Sequence, residues 1–440
     1  MEKNWHTEQN DEKEPPIGDV SPPIGGSFSG EDKHAYRALR SPDFLLLLCG
    51  VFLSMFGRQM IAVAIGWELY NRTNSALALG GIGLAQVIPL ILLFLPSGYV
   101  ADRYSRKYVV MLAQLLTTIA ALCLAALSYF HGSLLLIYVC LIALGTTQSF
   151  SNPASSALVS QVVSEEAYEN ATTWRSSVAQ LSAVLGPAAG GLLIGFFHGT
   201  ILVYVLSAAA SLIFVLLLFP MHLRPQIVVS RTQRSWGALI EGLRFLGKTQ
   251  VMLAAITLDL FAVLLGGATT LLPIYAKDIL HVGAVGLGWL NAADSIGAVC
   301  MALLLASRPP FKHAGRILLL AVAGFGVATI VFGISRQFWL SLVMLFMLGA
   351  CDNISVVIRT TLALVRTPDE MRGRVGAVTS LFIGTSNQLG GFESGLAAQL
   401  LGTVPSVVVG GIGTLVVVAL IAVFWPEMRR LTTLREIKPE

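Results

Sequence analysis

The segment GYVADRYSRK, Gly98–Lys107, is the part of the sequence that decides the fold. It contains four charged residues in ten positions, although only 12% of the 440 residues are charged. An apolar run of about 20 residues, the length that crosses a bilayer as a helix, stands on each side of it. A short charged segment between two such runs is typical of a loop that joins two membrane-spanning helices.

Composition extends this interpretation to the whole chain. Hydrophobic residues make up 55% of it, whereas soluble globular domains contain about 45–50% apolar and about 25% charged residues. A soluble protein could not bury so many long apolar runs, so we expect an all-α membrane protein with many spans. The net charge of +4 then reflects topology and does not indicate a nucleic-acid partner.

The pattern of apolar runs predicts twelve spans in two bundles. The candidate spans are 43–69, 77–97, 108–130, 133–155, 172–197, 200–219, 251–275, 284–306, 315–335, 338–358, 374–399 and 405–425. The predicted divisions are a disordered tail 1–40, a six-helix bundle 41–220, a linker 221–250, a second six-helix bundle 251–428 and a tail 429–440. Within the linker, Ser235–Lys248 places apolar residues at helical spacing beside charges, which predicts an amphipathic helix at the membrane surface.

Basic residues predict the orientation of the chain in the membrane. Lys and Arg concentrate in both tails, in the 221–250 segment and in alternate loops, whereas the other loops carry only Arg72, Lys277 and Arg336. Because cytoplasmic loops are enriched in Lys and Arg, we expect both termini in the cytoplasm of a multi-pass protein of the cell membrane, the inner membrane if the source is bacterial.

The two halves contain a repeat. LGPAAGGL (Leu185–Leu192) aligns with LGGFESGL (Leu389–Leu396), and at the same offset SEEAYENA (Ser164–Ala171) aligns with PDEMRGRV (Pro368–Val375). Two matches in one register indicate a duplicated six-helix unit, and therefore two halves related by a pseudo-two-fold axis.

The opening segment resembles the signature of the major facilitator superfamily between its second and third spans. The matching residues are Gly98, Asp102, Arg103, Arg106 and Lys107, with Ser105 where the family usually has Gly. Three further stretches, Ile256–Leu280, Thr367–Val375 and Ser386–Gly402, look like the enterobactin-exporter branch of that superfamily. The resemblance covers nearly all of residues 41–428 and implies alternating-access efflux of a small molecule, such as a siderophore or a drug-like compound.

The resemblance also implies a gate on the cytoplasmic side. In the family, this Asp docks against the start of the eleventh span, so Asp102 is expected to meet a helix that begins near Gly373. Thr367 and Glu370 have the spacing of a capping box, and Pro368 suits a first helical turn. Arg103, Arg106 and Lys107 would add partners or face anionic lipids; alternatively, these three residues only fix the topology.

Gly186-Pro187 followed by Gly190-Gly191 resembles the fifth-span motif of family members that work by proton antiport. Small residues four apart let two helices approach closely, and a proline permits a bend. The functional interpretation is a pliable seam between the halves, and the alternative is ordinary close packing.

Ionisable residues at membrane depth are the best candidates for coupling, because burying them is costly. Near mid-membrane we place Arg58, Asp259 and Asp294, with Asp352 deep in the tenth span and Glu393 in the outer half of the eleventh. The resemblance implies that spans 1, 4, 7 and 10 line one central cavity. Arg58, Asp259 and Asp352 would then share a water-filled space in which a carboxylate trades a proton for substrate; alternatively, an Arg–Asp pair only holds helices together. For Glu393 we favour packing near the outer gate.

Other features limit or qualify this interpretation. Antiporters of the superfamily often carry an Arg in the fourth span, where this chain offers only Gln148 and Asn152. Two alternatives therefore stay open: a gradient-independent facilitator and a flippase for lipids or lysolipids. A transporter-like sensor is a more remote alternative.

We expect Arg175 and Arg359 to extend toward the membrane surface and Tyr70 to anchor a helix end at the interface.

The sequence does not indicate an enzyme. It contains no GxxxxGK[ST] loop, no HExxH motif and no Cys/His cluster, so no cofactor and no metal are expected. The expected partners are a small-molecule substrate, protons and membrane lipids, with the chain acting as a monomer.

Overall fold

The computed structural model describes residues 37–223, 236–308 and 311–430, and within those ranges the regular structure is helical. In this part of the chain, eleven helical segments are long and apolar enough to cross a membrane. The first half comprises α1 (Pro42–Thr73), α2 (Ala76–Arg103), α3 (Arg106–Tyr129), α4 (Leu134–Val162), α5 (Tyr168–Phe197) and α6 (Ile201–Leu218). The remainder comprises α7 (Trp236–Lys248), α8 (Gln250–Leu265), α9 (Gly283–Ala306), α10 (Ala314–Ile334), α11 (Phe338–Arg366), α12 (Arg372–Leu401), α13 (Thr403–Phe424) and α14 (Pro426–Arg430).

Every predicted span except the seventh coincides with one of these long helices. The helix α12 is long enough to span, at about 1.5 Å per residue, but it is not among the eleven apolar segments. Its sequence includes Arg372, Arg374, Gln388 and Glu393, and it packs along α2 and α8 inside the bundle. The count of twelve spans therefore stays a prediction for this helix.

The seventh predicted span is interrupted. Helix α8 ends at Leu265, and Gly266 and Gly267 separate it from a 3₁₀ turn, Ala268–Leu271, which leads into a π-helical turn, Tyr275–Ile279. Glycine has a low helix propensity, and Gly267 lies against Gly390 of α12, where a Cβ would be 2.8 Å from the carbonyl oxygen. The sequence predicted one continuous run here, because apolarity does not register a break of this kind.

The helices alternate in direction, so the bundle has two ends. We call the end that holds Arg103, Arg106 and the start of α1 the basic side, and the end that holds Thr73, Ala76 and Ile279 the opposite side. Helix α7 lies on the basic side, packed against α12: Glu241 and Arg374 form an ion pair of 2.5 Å.

The two halves repeat the same packing and meet along two seams. In the first half α1 packs on α5 and α6, while α2 packs on α4; the second half pairs α8 with α12 and α13, and α9 with α11. Between the halves, α2 packs on α12 and α5 packs on α9.

Glycines from the repeated segment build both seams. A Cβ on Gly191 of α5 would lie 2.6 Å from Cα of Gly288, and a Cβ on Gly395 of α12 would lie 2.6 Å from Cα of Gly80. Because Gly191 and Gly395 occupy the same place in the repeat, the duplicated sequence makes the same contact twice, once in each direction across the interface. This is the pseudo-two-fold relation that the repeat predicted.

Hydrophobic packing joins the halves on the opposite side only. One buried cluster there combines side chains of both halves, including Leu69, Leu79, Leu271 and Tyr275. On the basic side there are two clusters: one contains first-half residues such as Phe44 and Leu158, and the other contains second-half residues such as Leu258. The described part of the chain is therefore closed on the opposite side and divided on the basic side.

Candidate transport cavities and gates

A cavity of about 350 Å³ lies in the first half, between its helices and α12. It brings together three of the predicted site residues, Arg58 of α1 and the neighbouring Gln148 and Asn152 of α4. Asp259 and Asp352 are not among the residues that line it. A space shared by these acids and Arg58 therefore stays a prediction.

Sequence reasoning missed much of the polar lining of this cavity. Gln114 of α3 accepts a hydrogen bond from Ser54 at 3.0 Å and donates one to Ser151 at 3.2 Å. Gln86 of α2 and Gln388 of α12 also line the cavity, and Gln388 donates to the Gln86 side chain at 3.2 Å across the interface. A possible signal was the presence of glutamines inside apolar runs, where an uncharged polar side chain requires a partner.

A second, smaller cavity of about 40 Å³ lies in the second half and contains the Asp259–Arg359 ion pair. Both side chains are largely buried, and the cavity has room for only a few waters. The expectation that Arg359 extends to the surface is therefore wrong, because Asp259 holds it inside the bundle. The fixed Arg–Asp pair considered from the sequence exists, but with Arg359 and not Arg58.

Asp294 of α9 and Asp352 of α11 lie across one helix interface. A Cβ on Gly349 would be 3.0 Å from a carboxylate oxygen of Asp294, and Asp352 follows Gly349 by nearly one turn on the same helix. Among the described residues, neither carboxylate has a hydrogen-bond or ion-pair partner, while Asp352 lies within electrostatic range of the Asp259–Arg359 pair. Two carboxylates across one helix interface form a candidate proton-binding pair, and that role stays a prediction.

The opposite side is closed by a polar contact between the halves. The Tyr70 hydroxyl of α1 donates to Asp278, and Lys277 donates to the Asn74 side chain at 2.9 Å. The Lys277 ammonium also lies 5.2 Å from the centroid of the Tyr70 ring. We call these four residues the outer clasp. The interface-anchor interpretation of Tyr70 is therefore wrong, since its hydroxyl is used to bridge the two halves.

On the basic side, the three basic residues of the signature donate hydrogen bonds within their own half. Arg106 donates to the Ala157 carbonyl at 3.0 Å, and Lys107 donates to the Phe219 and Met221 carbonyls at 3.0 Å each. Arg103 donates to the Tyr99 hydroxyl at 2.6 Å. The bonds of Arg106 and Lys107 attach α3 to the ends of α4 and α6. These residues therefore do more than fix the topology of the chain.

The structure locates the two elements of the predicted gate. Asp102 is exposed, and a Cβ added at Gly373 or at Gly376 of α12 would meet no atom within 4 Å. The start of α12 at Arg372 agrees with the expected helix start near Gly373. Its predicted capping box is wrong: Thr367 is the buried residue that follows α11, and the residue preceding α12, Met371, makes no side-chain cap. Docking of Asp102 against α12, with Gly98 beside it, stays a prediction.

The Gly186–Gly191 motif lies against two partners. Gly186 and Gly190 face α1, where a Cβ on Gly190 would be 3.2 Å from Cα of Met60, and Gly191 faces α9. Helix α5 continues without interruption through Pro187. Close packing is thus observed; the hinge role stays a prediction.

Glu393 lies partly buried in α12, two residues before the seam glycine Gly395.

No metal-binding arrangement occurs within residues 37–223, 236–308 and 311–430, since no three His, Cys, Asp or Glu side chains there are grouped suitably for an ion.

Comparison with known proteins identifies the family. The family model described as Major Facilitator Superfamily matches residues 47–392. The chain belongs to the Major Facilitator Superfamily. The enterobactin exporter EntS of Escherichia coli O1:K1 is 27% identical over 395 residues, covering 88% of this chain and 93% of the relative. The EntS of Shigella boydii serotype 18 gives the same identity and coverage.

Solved structures share the fold of this superfamily member. A bacterial homologue of the human lysosomal transporter Spinster, inward-facing and occupied, has a TM-score of 0.69 at 16% identity, covering 89% of this chain and 98% of that one. A D323A mutant of the nucleoside transporter NupG has a TM-score of 0.70 at 13% identity, covering 87% of this chain and 100% of that one. The predictions of the family, of its enterobactin-exporter-like branch and of the fold are confirmed. This superfamily member is a multi-pass membrane transporter of small molecules and not an enzyme.

Proposed function

We propose that this transporter exports a small organic molecule from the cytoplasm by alternating access, driven by proton antiport. The observation that carries the proposal is the asymmetry of packing: the halves share a hydrophobic cluster and the outer clasp on the opposite side, but have separate clusters on the basic side. Such an arrangement is one of the two end states of a rocking transporter.

The direction rests on charge and on the relatives. The basic side carries the Arg- and Lys-rich loops, which supports placing it, with both termini, in the cytoplasm. The cavity at Arg58 would then load from the cytoplasm. Because the relatives of similar length are named enterobactin exporters, the cargo is proposed to be a siderophore or a drug-like compound.

Two steps would complete the cycle. Breaking the Tyr70–Asp278 bond would free the opposite side, and docking of Asp102 near Gly373 at the start of α12 would close the basic side. The positive end of the α12 dipole and its free N–H groups favour a carboxylate there.

Asp294 and Asp352 are the proposed proton carriers. Two buried carboxylates across one helix interface repel each other when both are ionised, so a proton on one of them that a change of conformation releases would suit antiport. Asp259 is less suited to this role in the present state, because Arg359 already compensates its charge. The protein is proposed to act as a monomer in contact with membrane lipids.

A gradient-independent facilitator or lipid flippase is the second candidate. The observation that favours it is the neutral lining that α4 gives the cavity at Arg58. There, Gln148 and Asn152 belong to a helix without arginine.

Transport in everted membrane vesicles separates the two candidates. With enterobactin as the trial substrate, we expect uptake when the vesicle interior is acidic and loss of uptake when a protonophore collapses the gradient. Asp294→Asn with Asp352→Asn should abolish this dependence on the gradient, while Glu427→Gln, an exposed acid of α14, should retain it. Full uptake without a gradient would refute proton antiport and support the facilitator.

A further inference from the structure

The cavity between the helices of the first half and α12, which we call the main cavity, contains two arginines and no acid. Arg58 of α1 and Arg175 of α5 both line it, and none of the lining residues is Asp or Glu. Within the described residues, neither arginine forms an ion pair or donates a hydrogen bond. Arg175 has Tyr168 as an electrostatic neighbour, but a phenol is neutral at ordinary pH.

Arginines elsewhere in the bundle are compensated. Arg359 pairs with Asp259, and Arg72 pairs with Glu68 at 2.5 Å. A charge within a membrane bundle usually pairs with another or marks a substrate pathway. Since Arg58 and Arg175 lack a protein counter-charge, the pathway interpretation applies to them and the pairing interpretation applies to Arg359 and Arg72.

The neutral lining does not satisfy these arginines. The Gln114 amide is engaged with Ser54 and Ser151, and Thr117 donates to Thr147 at 2.9 Å. A guanidinium only donates hydrogen bonds, and its planar fork matches a carboxylate or a phosphate. The two guanidinium groups are therefore the charged donors in the cavity that lack a counter-charge.

Depth in the membrane orders the two arginines. Arg58 lies sixteen residues beyond Pro42, about 24 Å along α1, whereas Arg175 lies seven residues beyond Tyr168, about 10 Å along α5. A molecule that enters from the open basic side would meet Arg175 first and Arg58 next. The cavity volume of about 350 Å³ is within the range of small-ligand pockets.

We propose that this cavity selects its cargo by negative charge, with Arg58 as the main anion contact and Arg175 as the entry contact. The cargo is then a soluble organic anion, such as a carboxylate or a phenolate. This inference rests on the proposed transport function, because it names the class of molecule that the same site carries.

Direct binding tests the proposal without transport. The purified full-length protein in phosphatidylcholine nanodiscs would be titrated calorimetrically with three probes of the same ring: 2-naphthoate, 2-naphthamide and 2-naphthylmethylammonium. We expect naphthoate to bind about tenfold more tightly than the amide, as charge-assisted hydrogen bonds imply, and the ammonium probe to bind weakest.

Variants locate the effect. Arg58→Gln should make the affinities for naphthoate and naphthamide equal. Arg175→Gln should reduce the difference between these two affinities, and Arg58→Lys should retain part of the difference that Arg58→Gln removes. Arg308→Gln, which removes an exposed arginine outside the cavity, should leave the difference unchanged. Equal affinities in the unmodified protein, no binding of naphthoate, or a preference that survives in both glutamine variants would overturn the proposal.

A lipid arm separates the two sources of an anion. In nanodiscs that also contain phosphatidylglycerol, naphthoate binding should persist; its loss there would assign the arginines to a lipid headgroup and overturn the soluble-anion proposal. Because no gradient is applied, a failure of proton-driven uptake leaves this measurement intact. Conversely, equal affinities for the three probes would leave the transport proposal standing.

Discussion

Arg359 of α11 and Asp259 of α8 form an ion pair inside the second half, with side chains that are 10% and 9% exposed. The pair joins two helices that otherwise belong to different parts of the half: α8 packs on α12 and α13, and α11 packs on α9 and α10. Removing one partner leaves an uncompensated buried charge, whereas removing both does not.

The first prediction concerns this pair. Asp259→Leu alone should lower the free energy of unfolding by about 3–5 kcal/mol, and the double variant Asp259→Leu with Arg359→Leu should recover most of that loss. Thermal unfolding in detergent measures both. A double variant as unstable as the single one would show that the charges do more than compensate each other.

The outer clasp supplies the second prediction. Tyr70→Phe keeps the ring against Lys277 but removes the hydrogen bond to Asp278, which should raise the population open on the opposite side about tenfold. Spin labels at exposed Phe130 and Trp339, one in each half, would report the change as a longer distance.

Tyr138→Phe is the matched control for the clasp. It removes a hydroxyl that donates to the Ala78 carbonyl at 2.8 Å, and both residues belong to the first half. It should lower stability without shifting the distance between the labels. An identical shift in both variants would argue against the clasp as a gate element.

The third prediction concerns Asp102. If it docks at α12 when the basic side closes, Asp102→Asn should reduce the closed population, because the amide gains less from the helix terminus than a carboxylate does. Spin labels at Tyr108, which is 69% exposed, and at Gly376 would show a short-distance population that is diminished in the variant. If the distribution of distances between the labels is the same in the variant and the unmodified protein, Asp102 does not stabilise the closed gate.

The fourth prediction concerns the seams. Gly191→Val should destabilise the protein by about 1–3 kcal/mol, because its Cβ would lie 2.6 Å from Cα of Gly288 and the backbones cannot yield locally. Gly376→Ala, where a Cβ meets nothing within 4 Å, should raise or preserve the melting temperature, since alanine favours helix. Equal melting temperatures for the two variants would contradict the close contact between Gly191 and Gly288.

Local pattern predicted the helices well. The apolar runs locate each long helix, although several helices extend beyond the predicted spans at one end, as α2 does to Arg103 and α4 does to Val162. The repeat Leu185–Leu192 and Leu389–Leu396 also predicted correctly where the halves touch, because glycine in a bundle helix indicates close approach.

The candidate site was predicted less completely. Arg58, Gln148 and Asn152 line one cavity, whereas the partner of Asp259 and the Tyr70–Asp278 bond were not foreseen. Which side chains face each other depends on the rotation of each helix about its axis, and residues about two hundred positions apart share no local pattern. The break at Gly266 was missed because both sides of it are equally apolar.

The glycine seams divide the molecule into parts with different freedom to vary. At Gly191, Gly288 and Gly395 even a methyl group has no room, so these positions tolerate almost no substitution in this arrangement. The cavity walls are under no such restriction, since a glutamine or serine there can be exchanged without moving a backbone. A lineage built on this scaffold can therefore acquire new cargoes by altering pocket side chains while the glycine contacts between its halves are inherited unchanged.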